Sequence, residues 1–324
     1  MPFEKIGGGF ERKESYHNAV FASGKIWLFS RANVEQKTFN WGKRVSHTGG
    51  YAVAFDVAAK SWGAPIEFPA VKEDENMDEV LFEAGGSVYM LLYVNFCETA
   101  QFYSLHKWNG QKFEQTADLG GKAPSQADSS VSVEVVVADS DSSTEKYIVA
   151  NTFHGIKVHK LSISGGTVEQ FSEISADVNT LRGKAKRAAV VGSTLIVSFG
   201  THGCGFRWEG GRFFHIDLNN KEAKVVDMGL DFGDLPRYCF GGPYVSAQRG
   251  SSWFFFGGAI QVGMSDSKFT GECWELQNAA GSPAWKKLDY TAQAGEGDDF
   301  LGAYDAASGT VYTVGVDGVQ AVQI

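Results

Sequence analysis

Four cysteines, seven prolines and no long apolar run: this 324-residue chain is poor in all three. Cys97, Cys204, Cys239 and Cys273 lie far apart and form no CxxC pair, so their spacing supports no zinc site. Scattered free thiols or one or two disulfides are both open. No stretch approaches the roughly 18 apolar residues of a membrane span. The opening Met1-Pro2-Phe3-Glu4-Lys5 lacks the apolar segment of a secretory signal, although a trimmed mature form would read the same. The expectation is a soluble, cytoplasmic protein with no membrane contact. Cations are scarce as well. The net charge of -9 argues against a nucleic-acid partner, because a phosphate backbone wants a basic stripe. No Gly-x-Ser-x-Gly elbow is present, and no helix pattern follows Gly7-Gly8-Gly9, so neither a serine-hydrolase elbow nor a phosphate loop is expected. No cofactor or metal is expected either.

Glycine (39 residues) and aromatics (13%) are plentiful, which favours strands with tight turns over helices. The stretch from Pro243 to Leu288 shows the pattern best. Tyr244-Val245-Ser246-Ala247, Trp253-Phe254-Phe255-Phe256, Cys273-Trp274-Glu275-Leu276 and Trp285-Lys286-Lys287-Leu288 are short apolar runs separated by Gly, Ser and Asn. Such runs predict four antiparallel strands. One small sheet cannot bury both of its faces, so it needs neighbours.

The rest of the chain supplies them. The second strand of the unit recurs as Ile26-Trp27-Leu28-Phe29, Val88-Tyr89-Met90-Leu91, Tyr147-Ile148-Val149, Leu195-Ile196-Val197, Trp253-Phe254-Phe255-Phe256 and Val311-Tyr312-Thr313-Val314. Five steps carry Ile26 to Val311, about 57 residues a step, a period of radial or stacked repeats. A Gly or Ser turn precedes most copies; the third uses the longer Asp139 to Glu145. The last unit stops at Ile324 after its third strand, and a spare strand, Phe3-Glu4-Lys5-Ile6, precedes the first. If that strand completes the last sheet, the ring closes and no edge is left free. The expected fold is therefore all-β: a six-bladed β-propeller of four-stranded antiparallel blades, the last closed by the N-terminal strand, with residues 1–324 forming a single domain.

Phe256-Gly257-Gly258 with Trp274 and Trp285, and Gly49-Gly50-Tyr51 with Phe55 and Trp62, resemble the paired glycines and spaced aromatics of kelch-type, galactose-oxidase-like propellers. About two of the six units carry the pattern; the others are degenerate. A weaker resemblance, through fragments such as Tyr103 to Trp108, is to the six-bladed fungal lectins. Both resemblances imply the fold far more than any activity.

In such blades the first-to-second and third-to-fourth turns share one face, and here they are mostly short. The other face carries long, varied loops, and long loops on a rigid scaffold are where binding groups gather. His17, Glu79, Arg187 and Tyr244 each open an inner strand at that end and are expected to converge at the channel mouth. His154 and His202, with His47, lie on the loops of the same face. Trp41 and Trp208 add flat surfaces for a ligand. The leading functional reading is a monomeric binding or scaffold propeller that takes a protein or small-molecule ligand on this face. A small-molecule enzyme with its site at the channel mouth (isomerase, lyase, cyclase or hydrolase) is the second reading, and a carbohydrate-binding lectin the third. An enzyme should show one asymmetric pocket with shifted titrations, and a protein binder a wide apolar patch.

Overall fold

Strands are the only regular elements among the described residues, as short aromatic and β-branched runs between turn residues require. In a computed structural model the described residues are 3–8, 16–30, 34–39, 42–47, 49–71, 77–94, 100–121, 133–152, 155–174, 183–201, 207–227, 245–261, 267–292, 301–315 and 317–324. The chain opens with β1 (Glu4–Gly7). Blade 1 follows with β2 (Tyr16–Ala22) and β3 (Lys25–Ser30). A separate hairpin, β4 (Val34–Phe39) and β5 (Gly42–His47), interrupts it. The blade then resumes with β6 (Gly49–Asp56), β7 (Ser61–Trp62) and β8 (Ile66–Pro69).

Blades 2 to 5 are regular. Blade 2 holds β9 (Met77–Ala84), β10 (Ser87–Val94), β11 (Gln101–Trp108) and β12 (Phe113–Asp118). Blade 3 holds β13 (Glu134–Val137), β14 (Glu145–Thr152), β15 (Gly155–Ser162) and β16 (Thr167–Ile174). Blade 4 holds β17 (Gly183–Val191), β18 (Thr194–Thr201), β19 (Arg207–Asp217) and β20 (Ala223–Asp227). Blade 5 holds β21 (Val245–Arg249), β22 (Ser252–Gln261), β23 (Ser267–Gln277) and β24 (Ala284–Thr291). Blade 6 has β25 (Leu301–Asp305), β26 (Thr310–Gly315) and β27 (Gly318–Gln323), and its fourth strand is β1.

The ring therefore closes as expected. β1 runs antiparallel to β27, with Glu4 opposite Ala321 and Lys5 opposite Gln320. Successive inner strands meet all the way round: β2 with β9, β9 with β13, β13 with β17, β17 with β21, β21 with β25, and β25 with β2. Each blade buries its faces against its neighbours, so the core is six clusters rather than one. Leu91 and Leu105 of blade 2 meet Ile148 and Leu161 of blade 3. Leu28 and Phe55 of blade 1 meet Val314 and Val319 of blade 6. Trp285 contacts Phe255 in its own blade at 5.2 Å between ring centres and reaches Phe213 of blade 4 at 6.0 Å.

Two features differ from the sequence reading. One of the long connections on the loop-bearing face, between the second and third strands of blade 1, contains the β4–β5 hairpin. Its residues alternate without an apolar set, so periodicity gave no strand signal. Blade 1 also divides its outer strand between β7 and β8, both paired to β6. The glycine pair at the start of β6 makes this possible. Gly49 sits at φ 146, where a Cβ would stand 2.6 Å from the Phe68 carbonyl oxygen of β8, and a Cβ on Gly50 would stand 2.4 Å from the Phe68 ring.

Candidate functional site

The six inner strands surround a cavity of about 380 Å³ on the propeller axis. It is lined by residues 17–21 of β2, 80–83 of β9, 135–141 in and beyond β13, 187 and 188 of β17, 245, 246 and 248 of β21, and 301–304 of β25. Closing a ring of twisted blades creates such a channel, and the side chains on the innermost strands decide what fills it.

The polar groups of the channel are organised around Asp139. The chain does not turn tightly after β13. Asp139 continues it in extended form and bridges Ala189 in parallel fashion: its N–H donates to the Ala188 carbonyl (2.9 Å) and its carbonyl accepts from Val190 N–H (2.8 Å). The carboxyl then reaches blade 5, where Ser246 Oγ donates to Oδ2 at 2.5 Å and Trp253 Nε1 donates to the same oxygen at 3.3 Å. One residue, through backbone and side chain together, thus ties three blades. Among the described residues both of the carboxyl's hydrogen bonds land on Oδ2.

Arg187 is the nearby cation. A break in register between Ala185 and Arg187 marks a bulge in β17, and Ser198 Oγ accepts from Arg187 N–H and donates to its carbonyl, each at 3.1 Å. Asp139 and Arg187 both line the cavity and are half-buried. Burial pushes the Asp139 carboxyl above its usual range, against the pull of Ser246, Arg187, Trp253 and Lys146. Burial lowers Arg187, and the Asp139 charge opposes it.

Lys146 lies in β14 and its side chain reaches the same cavity. Nζ donates to the Ser140 carbonyl at 2.7 Å and to Ser140 Oγ at 3.4 Å. Burial lowers this amine too, with Glu83, Asp139 and Asp141 pulling it back up. Tyr304 donates its hydroxyl to the Gln248 carbonyl (3.2 Å), and burial raises the phenol to about 12.

The residues expected at the channel mouth are placed as follows. His17 lines the cavity near the start of β2 and is exposed. Arg187 lines it too, but lies within β17 rather than at its start, because that strand begins at Gly183. Glu79 lies in β9 opposite Leu92, outside the cavity lining. Tyr244, His154, His202 and Trp41 lie outside the described residues, and of Trp208 only the backbone, in β19, is described. The sequence reading did not select Asp139, Lys146, Ser246 or Gln248 as site residues. One signal pointed there: the third unit alone replaces a Gly or Ser turn with the polar run Asp139 to Glu145.

Other titratable groups belong to the core. His106, His159 and His215 sit on third strands and are buried, which holds each near a pKa of about 4. Cys273 is a free, buried thiol, pushed up to about 12 by burial, and donates to the Gly271 carbonyl at 3.3 Å. Among the described residues no group of three His, Cys, Asp or Glu could hold a metal ion.

No protein-family model matches the chain, and no curated protein matches it in sequence. Solved structures do match in shape. The structure of YjhT superposes with a TM-score of 0.52 at 12% identity, covering 98% of this chain and 95% of that one. The Dos1 propeller gives 0.46 at 9% identity, covering 97% and 81%. The GH43 endo-arabinanase from Bacillus licheniformis gives 0.48 at 11% identity, covering 86% and 99%. The likeness to YjhT concerns the fold alone, and the strand order above makes this chain a six-bladed β-propeller.

Proposed function

We propose that the protein binds a small molecule in its central channel. The observation that carries this reading is the cavity on the propeller axis, lined by strands of all six blades and by the opposite charges of Asp139 and Arg187. A cavity of roughly 380 Å³ with charges of both signs on its wall is within the range of ligand sites. A protein-docking role has less support. Among the described residues Val225 is the one exposed large hydrophobic, at 54% exposure, so the described surface lacks the wide apolar patch that role calls for. Within this reading the repeats are degenerate kelch-type units, and the chain is a cytoplasmic monomer without nucleic-acid or membrane partners. The net charge of -9 favours the first of those exclusions.

An enzyme is the second reading, favoured by one observation. A carboxyl whose burial holds a proton more tightly than usual, on a residue that lines a cavity, suits general acid or base work. A small-molecule library screened by thermal shift tests both readings, with Arg187→Met as the control variant. Ligands that stabilise the parent should lose most of their shift in the variant. Hits that survive in Arg187→Met but are lost on changing His47, His154 or His202 would move the site to the loops and end the channel reading.

A further inference from the structure

One lysine is out of place in the repeat. The second residue of each blade's second strand is, in chain order, Ile26, Val88, Lys146, Leu195, Trp253 and Val311, and all six are buried. Packing between blades calls for an apolar group at this position, and blade 3 alone puts an amine there. Lysine is seldom buried without an opposite charge against it. Yet Nζ forms no ion pair among the described residues, and its partners there are the carbonyl oxygen and the hydroxyl of Ser140. Glu83, Asp139 and Asp141 act on it only at longer range. Lys146 is also the one lining residue that comes from a second strand; the others belong to inner strands or to the turns that leave them. Its side chain therefore reaches the axial cavity from behind the wall.

Burial without an ion pair disfavours the charged amine, so more of it is neutral than in an exposed lysine. A neutral amine has two hydrogens and one lone pair. The hydrogens have acceptors in Ser140, which leaves the lone pair as the reactive group. Glu83, Gln248 and Tyr304 stand opposite Val88, Trp253 and Val311, the register that Lys146 holds in blade 3. All three line the cavity, so a carboxyl, an amide and a phenol meet the amine's end of it.

Taking the channel as the binding site, we propose that Lys146 captures a small aldehyde or ketone there as an imine. Nζ attacks the carbonyl carbon and a carbon–nitrogen bond forms. The carbonyl oxygen takes up the two hydrogens that the amine gives up and leaves as water, so no further reactant is needed. Groups such as Glu83 can carry those protons from nitrogen to oxygen.

Benzaldehyde with sodium cyanoborohydride tests this on the full chain at pH 7. The reductant converts the imine to a secondary amine that survives digestion, and peptide mass spectrometry locates it. Lys146 should be alkylated at least about tenfold faster than the exposed Lys60 and Lys286, because each unit by which a lysine pKa falls raises its neutral fraction about tenfold. This comparison is made within the parent protein and needs no variant. Lys146→Met should melt no lower than the parent, since the other five blades carry apolar residues at this position. Alkylation of Lys146 no faster than that of Lys60 and Lys286 overturns the proposal. A clear fall in the melting temperature of Lys146→Met overturns it too, by making the amine part of the fold. If it fails while library hits still depend on Arg187, the channel remains a binding site without amine chemistry; if those hits fail as well, the channel reading goes with it.

Discussion

Asp139 holds two roles that pull in opposite directions. As a structural bracket it accepts from Ser246 and Trp253 and joins blade 3 to blades 4 and 5. As a channel group it is a carboxyl that burial disfavours in its charged form. Asp139→Ala should cost stability, because a buried donor left without an acceptor costs about 1–3 kcal/mol and two donors are affected. Asp139→Asn should cost little, or even stabilise. A carboxyl whose folded pKa is raised favours the fold at low pH and loses that contribution as pH rises, so at neutral pH the amide removes a penalty. Urea denaturation of the two variants at pH 7 decides this. An asparagine variant as unstable as the alanine one would mean that the ionised form is itself part of the bracket. Trp285 is simpler: half-buried, it packs on rings from blades 4 and 5. Trp285→Ala should cost toward the lower end of about 3–5 kcal/mol without changing ligand binding, and a melting temperature equal to the parent's would assign it a different role.

At the scale of elements, β1 is the strand whose loss should matter most for its length. Four residues cover the outer edge of β27, and Trp62 Nε1 donates to the Gly8 carbonyl at 2.9 Å, fastening the segment to blade 1 as well. Removing Met1 to Gly8 would leave that edge open to pairing with another chain. Aggregation or a large fall in melting temperature is expected, read by scattering-monitored thermal unfolding; a truncated protein that melts as the parent does would show that blade 6 holds without its outer strand. The elements legible beforehand were those with a repeated apolar pattern. Second strands such as Ile26–Phe29 and Trp253–Phe256 are mostly buried and announce themselves in any copy. The β4–β5 hairpin and β8 did not, because pairing there rests on backbone hydrogen bonds that leave no trace in apolar periodicity.

The whole molecule should be acid-sensitive for a reason spread over three blades. His106, His159 and His215 have folded pKa values of about 4, depressed by burial, against about 6.5 when unfolded. His215 has neither ring nitrogen hydrogen-bonded. Above pH 6.5 all three are neutral in both states and cost nothing. As pH falls from 6.5 toward 4 the unfolded chain takes up protons that the folded chain refuses, and stability drains away, on the order of 2–3 kcal/mol per histidine. Asp139 has the opposite sign but is one group against three. Urea midpoints measured from pH 7 to pH 4 should fall steeply, and a variant with all three histidines replaced by glutamine should show a flatter profile; parallel profiles would exclude the buried histidines as the cause.

The repeat period, the six second strands and the spare N-terminal strand were written in the order of apolar and turn residues. Local propensity and the need to bury both faces of every blade were enough to dictate a closed ring. Position along the chain also suggested that groups such as His17 and Arg187 would meet. It could not reveal that Asp139 would be the centre. Asp139 is 48 residues from Arg187 and 107 from Ser246 in the chain. Which inner-strand side chains share a level of the channel depends on bulges such as that between Ala185 and Arg187 and on the parallel bridge from Asp139 to Ala189 of blade 4. Those are matters of register between strands, and register is set by tertiary packing, where a shift of one residue changes which groups face the channel.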